Sequence, residues 1–247
     1  MSRKFPTIFI LSLSVLTLSM AGTVRAEFIG LNINESHWAS PTSNTFGETS
    51  DDAVDLTDDL ELTDPTETSR IIIFEHSVSA LPNIRYQGSQ LDSNSNINLQ
   101  TLGSNDQGTS TFDISNDNLV LYYQLLDDGV DLDLGLDVKR IDGEVSYSGS
   151  DSTVEIDETI PLLYLSARFD LPVNGLYVGA NLNADVIDLG VSESSAHDST
   201  IMLGYDSGNG LGLAGGYKHF SLDLNNSDAP DTDLEYDAIF LNGYINF

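Results

Sequence analysis

The chain has 247 residues, with 39 acidic against nine basic, no cysteine, and a formal net charge of −30 at pH 7. The missing cysteine excludes a disulfide framework, a thiolate nucleophile and a cysteine metal site. The acidity argues against nucleic acid or an anionic lipid surface as an electrostatic partner.

The first element is the segment 1–26, where Arg3 and Lys4 precede an apolar run from about Ile8 to Ala21 and then Val24-Arg25-Ala26. It reads as a cleaved secretory signal peptide, since the run is short for a membrane-spanning helix and small residues stand where a signal peptidase needs them. Cleavage after Ala26 leaves 27–247 as a single domain with six basic residues against 39 acidic ones. No later apolar run reaches ~18 residues, so only a closed barrel of strands would cross a membrane here.

Candidate strands with a two-residue period fall at 28–34, 70–78, 84–91, 112–125, 130–138, 163–169, 176–186, 200–205, 211–221 and 234–247. In the cleanest, Val130, Leu132, Leu134, Leu136 and Val138 share one face, and Asp131, Asp133, Gly135, Asp137 and Lys139 share the other. No helical spacing fits that pattern. The connectors 80–83, 127–129, 171–175 and 206–210 are short and rich in Pro, Gly, Asn and Asp, whereas 35–69, 92–111, 144–152, 191–199 and 222–233 are longer and rich in Ser, Asn, Asp and Thr. Short turns alternating with long loops, and about ten strands (eight or twelve also satisfy the pattern), predict an all-β, up-and-down antiparallel transmembrane barrel. Periodicity alone also allows a soluble barrel with its apolar face inward. The decision rests on the faces themselves: Leu, Val, Ile and Ala suit lipid, while charges of both signs with Gly, Asn and Tyr suit a narrow, hydrogen-bonded lumen.

On the last strand, LEYDAIFLNGYINF, the residues Ile239, Leu241, Gly243, Ile245 and Phe247 fall on one face. The segment resembles the closing strand of bacterial outer-membrane barrels, whose terminal pattern is read by the barrel-assembly machinery. The resemblance implies a bacterial outer-membrane destination, with Tyr244, Ile245 and Phe247 as the assembly signal. Around the first short turn, Glu75-His76-Ser77 and Leu81-Pro82-Asn83-Ile84-Arg85 resemble the EHP-like and LPNIR-like stretch of a small Gram-negative outer-membrane barrel family of uncharacterised function. Ser77 stands where that pattern has Pro, and the resemblance implies a barrel without carrying over any catalytic residue.

Alternation turns Arg85, Lys139, Arg168 and Lys218 into the lumen together with Glu75, Asp131, Asp133, Asp137, Asp170 and Asp185. These are expected to pair and fill the interior, because unpaired charges there are costly. A ten-stranded barrel is also the frame of the omptin proteases, which activate water with an Asp–His pair and a second Asp pair near the outer rim. His197-Asp198 lies near a predicted loop end, and Asp51-Asp52 and Asp127-Asp128 are acidic pairs. Adjacent strand residues face opposite sides, so His197 and Asp198 would cooperate only in a bent loop. Serine hydrolysis lacks a GxSxG motif, and His37, His76 and His219 show no ligand spacing. The first long loop carries Glu48, Asp51, Asp52, Asp55, Asp58, Asp59, Glu61, Asp64 and Glu67. Their oxygen density would suit Ca²⁺ or Mg²⁺, yet no EF-hand spacing organises them, and a solvated loop without a cofactor is expected.

The sequence therefore favours a non-enzymatic barrel with a largely filled polar lumen and a structural or surface-interaction role, ahead of a narrow solute pore and of a rim enzyme. The expected partners are outer-membrane lipid and lipopolysaccharide, plus the assembly machinery during biogenesis; nucleic acid is excluded and a monomer is expected. For the closing strand the consequence is kinetic. Phe247→Ala removes only about 2 kcal/mol of lipid-side burial, so purified protein should refold into vesicles near-normally while insertion in cells slows and periplasmic protein accumulates. Normal insertion in cells of both Phe247→Ala and a deletion of Tyr244 to Phe247 would contradict the assembly-signal role.

Overall fold

The computed structural model describes residues 28–38, 43–46, 54–55, 66–76, 78, 80–98, 107–127, 129–147, 154–186, 194–224 and 232–246. The segment 1–26, nearly all of the acidic loop and Phe247 lie outside the described residues.

Thirteen strand elements run antiparallel to their sheet neighbours: β1 (Phe28–Trp38), β2 (Ser43–Phe46), β3 (Val54–Asp55), β4 (Thr66–Glu75), β5 (Asn83–Asn98), β6 (Gln107–Asp113), β7 (Asn116–Asp127), β8 (Val130–Tyr147), β9 (Val154–Asp170), β10 (Leu176–Ala184), β11 (Ser195–Asp206), β12 (Leu211–Leu224) and β13 (Thr232–Asn246). β6 and β7 are one stave interrupted at Ile114-Ser115, since both lie between β5 and β8. The Asp113 carboxylate accepts from the Ser115 amide at 2.8 Å, and the Ser115 hydroxyl accepts from the Leu91 amide at 3.3 Å, so the break is stitched to its neighbour. β2 and β3 form a small unforeseen hairpin that extends the long-loop end of β13. The remaining elements make ten staves, each beside its sequence neighbour, and β1 pairs with β13 from Gly30↔Asn246 to Trp38↔Ala238. Closure leaves those ten staves without an edge, which is what allows strands in hydrocarbon.

The four short turns lie at one end and the long loops at the other, as expected from composition; in outer-membrane barrels those ends are periplasmic and external. At the turn between β7 and β8, Gly129 has φ +73°, a backbone state open to glycine at no steric cost. The first short turn is held by His76: its Nδ1 accepts from the Val78 amide at 3.2 Å, its Nε2 faces the Pro82 carbonyl at 3.2 Å, and its amide donates to Asn83 Oδ1 at 3.1 Å. The Glu75–Arg85 segment singled out in the sequence is thus the scaffold of a turn.

Most strands extend beyond the predicted spans, chiefly toward the long loops; β10 is the exception, ending at Ala184 rather than Val186. β8 has 18 residues and β9 has 17. At ~3.3 Å per residue and ~40° of tilt, such staves stand about 45 Å tall against an apolar band of ~25 Å. Roughly the upper 20 Å must leave the membrane, and the side chains record the crossing. On β8, Leu134, Leu136 and Val138 are exposed on the outer face, and the same face continues as Arg140, Asp142 and Glu144. On β9 it reads Phe169, Ala167, Leu165, Leu163 and Pro161, then Thr159, Asp157 and Glu155; on β13 it reads Ile245, Gly243, Leu241 and Ile239, then Asp237, Glu235 and Asp233. The parity of the strand never changes; the chemistry of its outer face does. Phe74, Tyr123, Phe169 and Tyr205 mark the lower border of the belt, and Tyr86 and Tyr217 the upper, as in the aromatic girdles that flank a barrel's apolar band.

The inner face inverts in the opposite sense. Below the crossing it is polar; above it, Leu91, Ile114, Ile141, Ile156, Ile160, Leu162, Phe220, Leu222, Leu224 and Leu234 form one buried apolar core. The molecule is a polar-filled membrane barrel below and, above, a barrel with a water-soluble protein's polarity.

Single-cysteine variants on β8 and β9 read this directly. Cysteine at Leu134 should be quenched by a lipid-soluble spin probe and cysteine at Asp133 should not, while cysteine at Asp142 or Asp157 should react with a membrane-impermeant thiol reagent on intact cells. Equal quenching at 133 and 134, or no labelling at 142 and 157, would contradict the crossing.

Candidate functional site

The interior below the apolar core holds nearly all the predicted lumen cluster, in three tiers. The lowest lies at the short-turn mouth. Arg168 on β9 reaches Asp170 at 3.0 Å, Asp131 at 3.8 Å and Asp206 on β11, and its guanidinium stacks 3.8 Å over the Tyr177 ring. Tyr244 on β13 donates to Asp206. The two rings lie flat across the barrel wall because glycines stand beneath them. A Cβ at Gly204 would come within 2.1 Å of the Tyr177 ring, and one at Gly212 within 2.0 Å of Tyr244. Tyr244, expected as part of the assembly signal, is therefore a lumen residue, whereas Ile245 has the outward parity of the belt.

In the middle tier Tyr122 donates to Glu75 at 2.6 Å and packs on Tyr164 with ring centroids 5.7 Å apart. Arg85 donates to the Tyr164 hydroxyl at 3.4 Å and to Gln87 at 2.9 Å, with its guanidinium 5.6 Å from the Tyr164 centroid. Asp133 belongs to the same face and level of β8.

The upper tier is an ion network just under the apolar core. Lys218 on β12 binds Glu67 at 2.9 Å and Asp198 at 3.3 Å, with side chains 7%, 2% and 10% exposed. Lys139 donates to Asn116 and Asn118 at 3.1 Å each, Asn118 donates to Asp137 at 2.6 Å, and the Lys139 ammonium lies 5.4 Å from the Phe220 centroid. Three cations, Arg85, Lys139 and Lys218, face three carboxylates, Glu67, Asp137 and Asp198, across this level. Arg85 reaches this level from the tier below, and the balance of charge is what burial demands, although Asp137 Oδ1 and Arg85 Nε have no hydrogen-bond partner among the described residues.

Three expectations need correction. Glu67, read as the last acid of a solvated loop, is buried in β4 and paired with Lys218, because β4 starts at Thr66 rather than near Arg70. Asp185 does not join the cluster: β10 ends at Ala184, and Asp185 is exposed beyond it. His197 is not in a loop; it lies on β11 with outward parity, while Asp198 turns into the lumen, so the two face opposite sides. The sign that would have located Glu67 and Asp198 is the alternation continuing through Thr66–Ser69 and Ser195–Ser199 with polar residues on both faces. Of the other candidates, Asp51, Asp52 and Asp128 lie outside the described residues. Asp55 falls on the backbone of β3.

On the outer face above the belt, His219 faces Asp237 at 3.0 Å and the His197 ring at 5.9 Å. Hydrogen bonds from Tyr217 and then His219 hold the Asp237 carboxyl below its usual range. Among the described residues, no group of three or more His, Cys, Asp or Glu side chains has metal-binding geometry.

The fold has solved counterparts. The outer membrane protease OmpT from Escherichia coli aligns with a TM-score of 0.52 at 12% identity, covering 94% of this chain and 99% of that one. Neisserial surface protein A aligns at 9% identity and TM-score 0.37, covering 89% and 97%, and the attachment invasion locus protein Ail of Yersinia pestis at 10% and 0.38, covering 89% and 98%. No family model and no curated protein matches the chain. At 12% identity the OmpT likeness is one of fold alone. Together with closure and the lipid-facing belt, it makes this chain an integral β-barrel of the bacterial outer-membrane type, in the location the closing strand had suggested.

The two kinds of charge pair differ in worth. Lys218→Met leaves Glu67 and Asp198 buried without their cation and should cost about 3–5 kcal/mol. Arg140→Ala removes only exposed contacts to Asp142 at 3.6 Å and Asp157 at 3.3 Å, which solvent screens, and should leave the unfolding midpoint close to that of the wild type. Urea unfolding in lipid vesicles reads both; equal costs would mean that the upper tier is hydrated.

Proposed function

We propose that this protein is a non-enzymatic outer-membrane barrel whose filled interior supports an externally displayed upper section, in an envelope-structural or surface-interaction role. The observation that carries the reading is the stacking of two fillings in one lumen: the paired Lys139, Lys218, Glu67, Asp137 and Asp198 tier, with the Ile and Leu core directly above it. Water and solutes would have to break buried ion pairs and then traverse apolar packing. Ten strands also sit near the size at which side chains fill a barrel, far from the 16 or so of water-filled porins.

Against an omptin-like activity stand the divergence of His197 and Asp198 and the position of His219–Asp237, the other His–Asp pair among the described residues, on the outer wall rather than in the lumen. No cofactor is part of the proposal. The belt would contact membrane lipid, and the polar outer face above it would meet lipopolysaccharide sugars and phosphates, with the barrel acting as a monomer assembled through its closing strand. On this reading it resembles the small Gram-negative barrels with the EHP-like and LPNIR-like segment, here the His76 turn.

A narrow solute pore is the rival reading, and conductance separates the two. Purified protein in a planar bilayer should show no steady channel current, and Ile160→Ala with Leu222→Ala, which thins the core, should begin to admit ions. Steady wild-type conductance would favour the pore.

A further inference from the structure

We propose that the outer wall just above the lipid belt holds a binding site for a divalent transition-metal ion of the Zn²⁺ or Cu²⁺ kind, with His197 and His219 as its two protein ligands. The proposal goes beyond the envelope role and stands whatever the lumen does.

Strand register brings the two histidines together. On the outer faces of β11 and β12, Ser199 pairs with His219 and His197 with Ser221, so the histidines are diagonal neighbours, within reach of one another across the sheet. Their ring centroids lie 5.9 Å apart, with the planes inclined at 60°. An ion held ~2.1 Å from one nitrogen of each ring stands about 3.2 Å from each centroid, and a tetrahedral angle between the two bonds puts the centroids about 5.2 Å apart. The small remaining gap is one that side-chain rotation closes without moving the backbone.

Asp237 supplies an independent observation. It lies directly opposite His219 on β13, and its Oδ1 is 3.0 Å from His219 Nδ1. Hydrogen bonds from Tyr217 and then His219 hold this carboxyl below its usual range, so it is ionised and can only accept. The proton of the imidazole therefore sits on Nδ1, and in the neutral ring Nε2 is the nitrogen with the lone pair that a metal takes. A carboxylate that fixes the tautomer and orientation of a histidine in this way is the usual outer partner of a zinc-bound imidazole.

The donor set selects the ion. Imidazole nitrogen suits Zn²⁺ and Cu²⁺, whereas Mg²⁺ and Ca²⁺ take oxygen ligands. Among the described residues no third side chain completes the set, so the remaining coordination positions belong to water or to an exogenous donor, and the site is an open one. The side chains of His219 and Asp237 are 31% and 28% exposed, which gives an ion its approach from outside the barrel. Glu235, next above Asp237 on the same outer face, adds negative charge that favours a cation there.

Isothermal titration of the purified, chelator-treated full chain in detergent micelles with Zn²⁺, with Mg²⁺ in excess to occupy surface carboxylates, tests this. One saturable event is expected, and His197→Ala and His219→Ala should each abolish it. Asp237→Ala should weaken it about tenfold, while Asp157→Asn, an acid of the outer wall on β9, should bind like the wild type. Cu²⁺ at saturation gives a second readout: its electron spin echo should report two imidazole donors in the wild type and one in either histidine variant. No saturable event in the presence of Mg²⁺, unchanged binding in a histidine variant or in Asp237→Ala, an equal loss in Asp157→Asn, or a Cu²⁺ echo without imidazole would each overturn the proposal. Heat-modifiable electrophoretic migration of each variant keeps a lost site distinct from a lost barrel, and none of these outcomes bears on conductance.

Discussion

Backbone amides and carbonyls have no water to turn to inside a lipid bilayer, so every one of them must find its partner within the protein. The pairing of β1 with β13 is the interaction that meets this demand here, because it removes the last open edge of a ten-stave sheet. Everything else is arranged around a closed wall that cannot be opened locally. Closure also explains where four of the six basic residues of 27–247 lie: Arg85, Lys139, Arg168 and Lys218 all point into the one compartment where lipid cannot reach.

A closed wall with a strict two-residue period has two faces, and the membrane decides which chemistry each must carry. Within the belt, apolar side chains face lipid and charges face inward. Once the staves rise above the lipid, water surrounds the outside and the hydrophobic effect reverses the preference. The transition is abrupt on each strand. Val138 is followed on its face by Arg140, and Lys139 is followed on the opposite face by Ile141. The ion tier of Lys139, Lys218, Glu67, Asp137 and Asp198 sits at this changeover, where the lumen passes from polar to apolar. It is the level at which an unpaired charge would find least water, and its pairing is correspondingly dense.

The ten staves were legible because a two-residue period survives any choice of which face is polar. Their lengths were not, because the strands were followed only as long as apolar residues occupied the lipid face. Ile156 to Leu162 alternates in the opposite sense, with Ile156, Ile160 and Leu162 on the inward face and Asp157 and Thr159 on the outer one, and so falls outside the predicted strand. The same reason hid Asp198 on β11 and Glu67 on β4, two of the three acids that balance the upper tier. Asp185 failed for the opposite reason: Leu176 to Val186 alternates throughout, but the paired register of β10 with β11 ends at Ala184↔His197, and Asp185 keeps one backbone bond to Ala196 at 3.1 Å with its side chain exposed beyond the strand. The β2–β3 hairpin, with only two residues in its second strand, carries too little pattern to be seen. Parity, in short, is a local property of sequence, whereas the height of the lipid boundary is set by the bilayer.

The central claim is that one continuous set of staves runs from the belt into a packed upper barrel with an apolar interior. Amide hydrogen exchange of the protein in lipid vesicles tests it most directly. Protection should continue without a step from the belt through residues 140–147 of β8, 154–160 of β9, 218–224 of β12 and 232–238 of β13. Exchange of these four segments at loop-like rates, with protection confined to the belt, would contradict it.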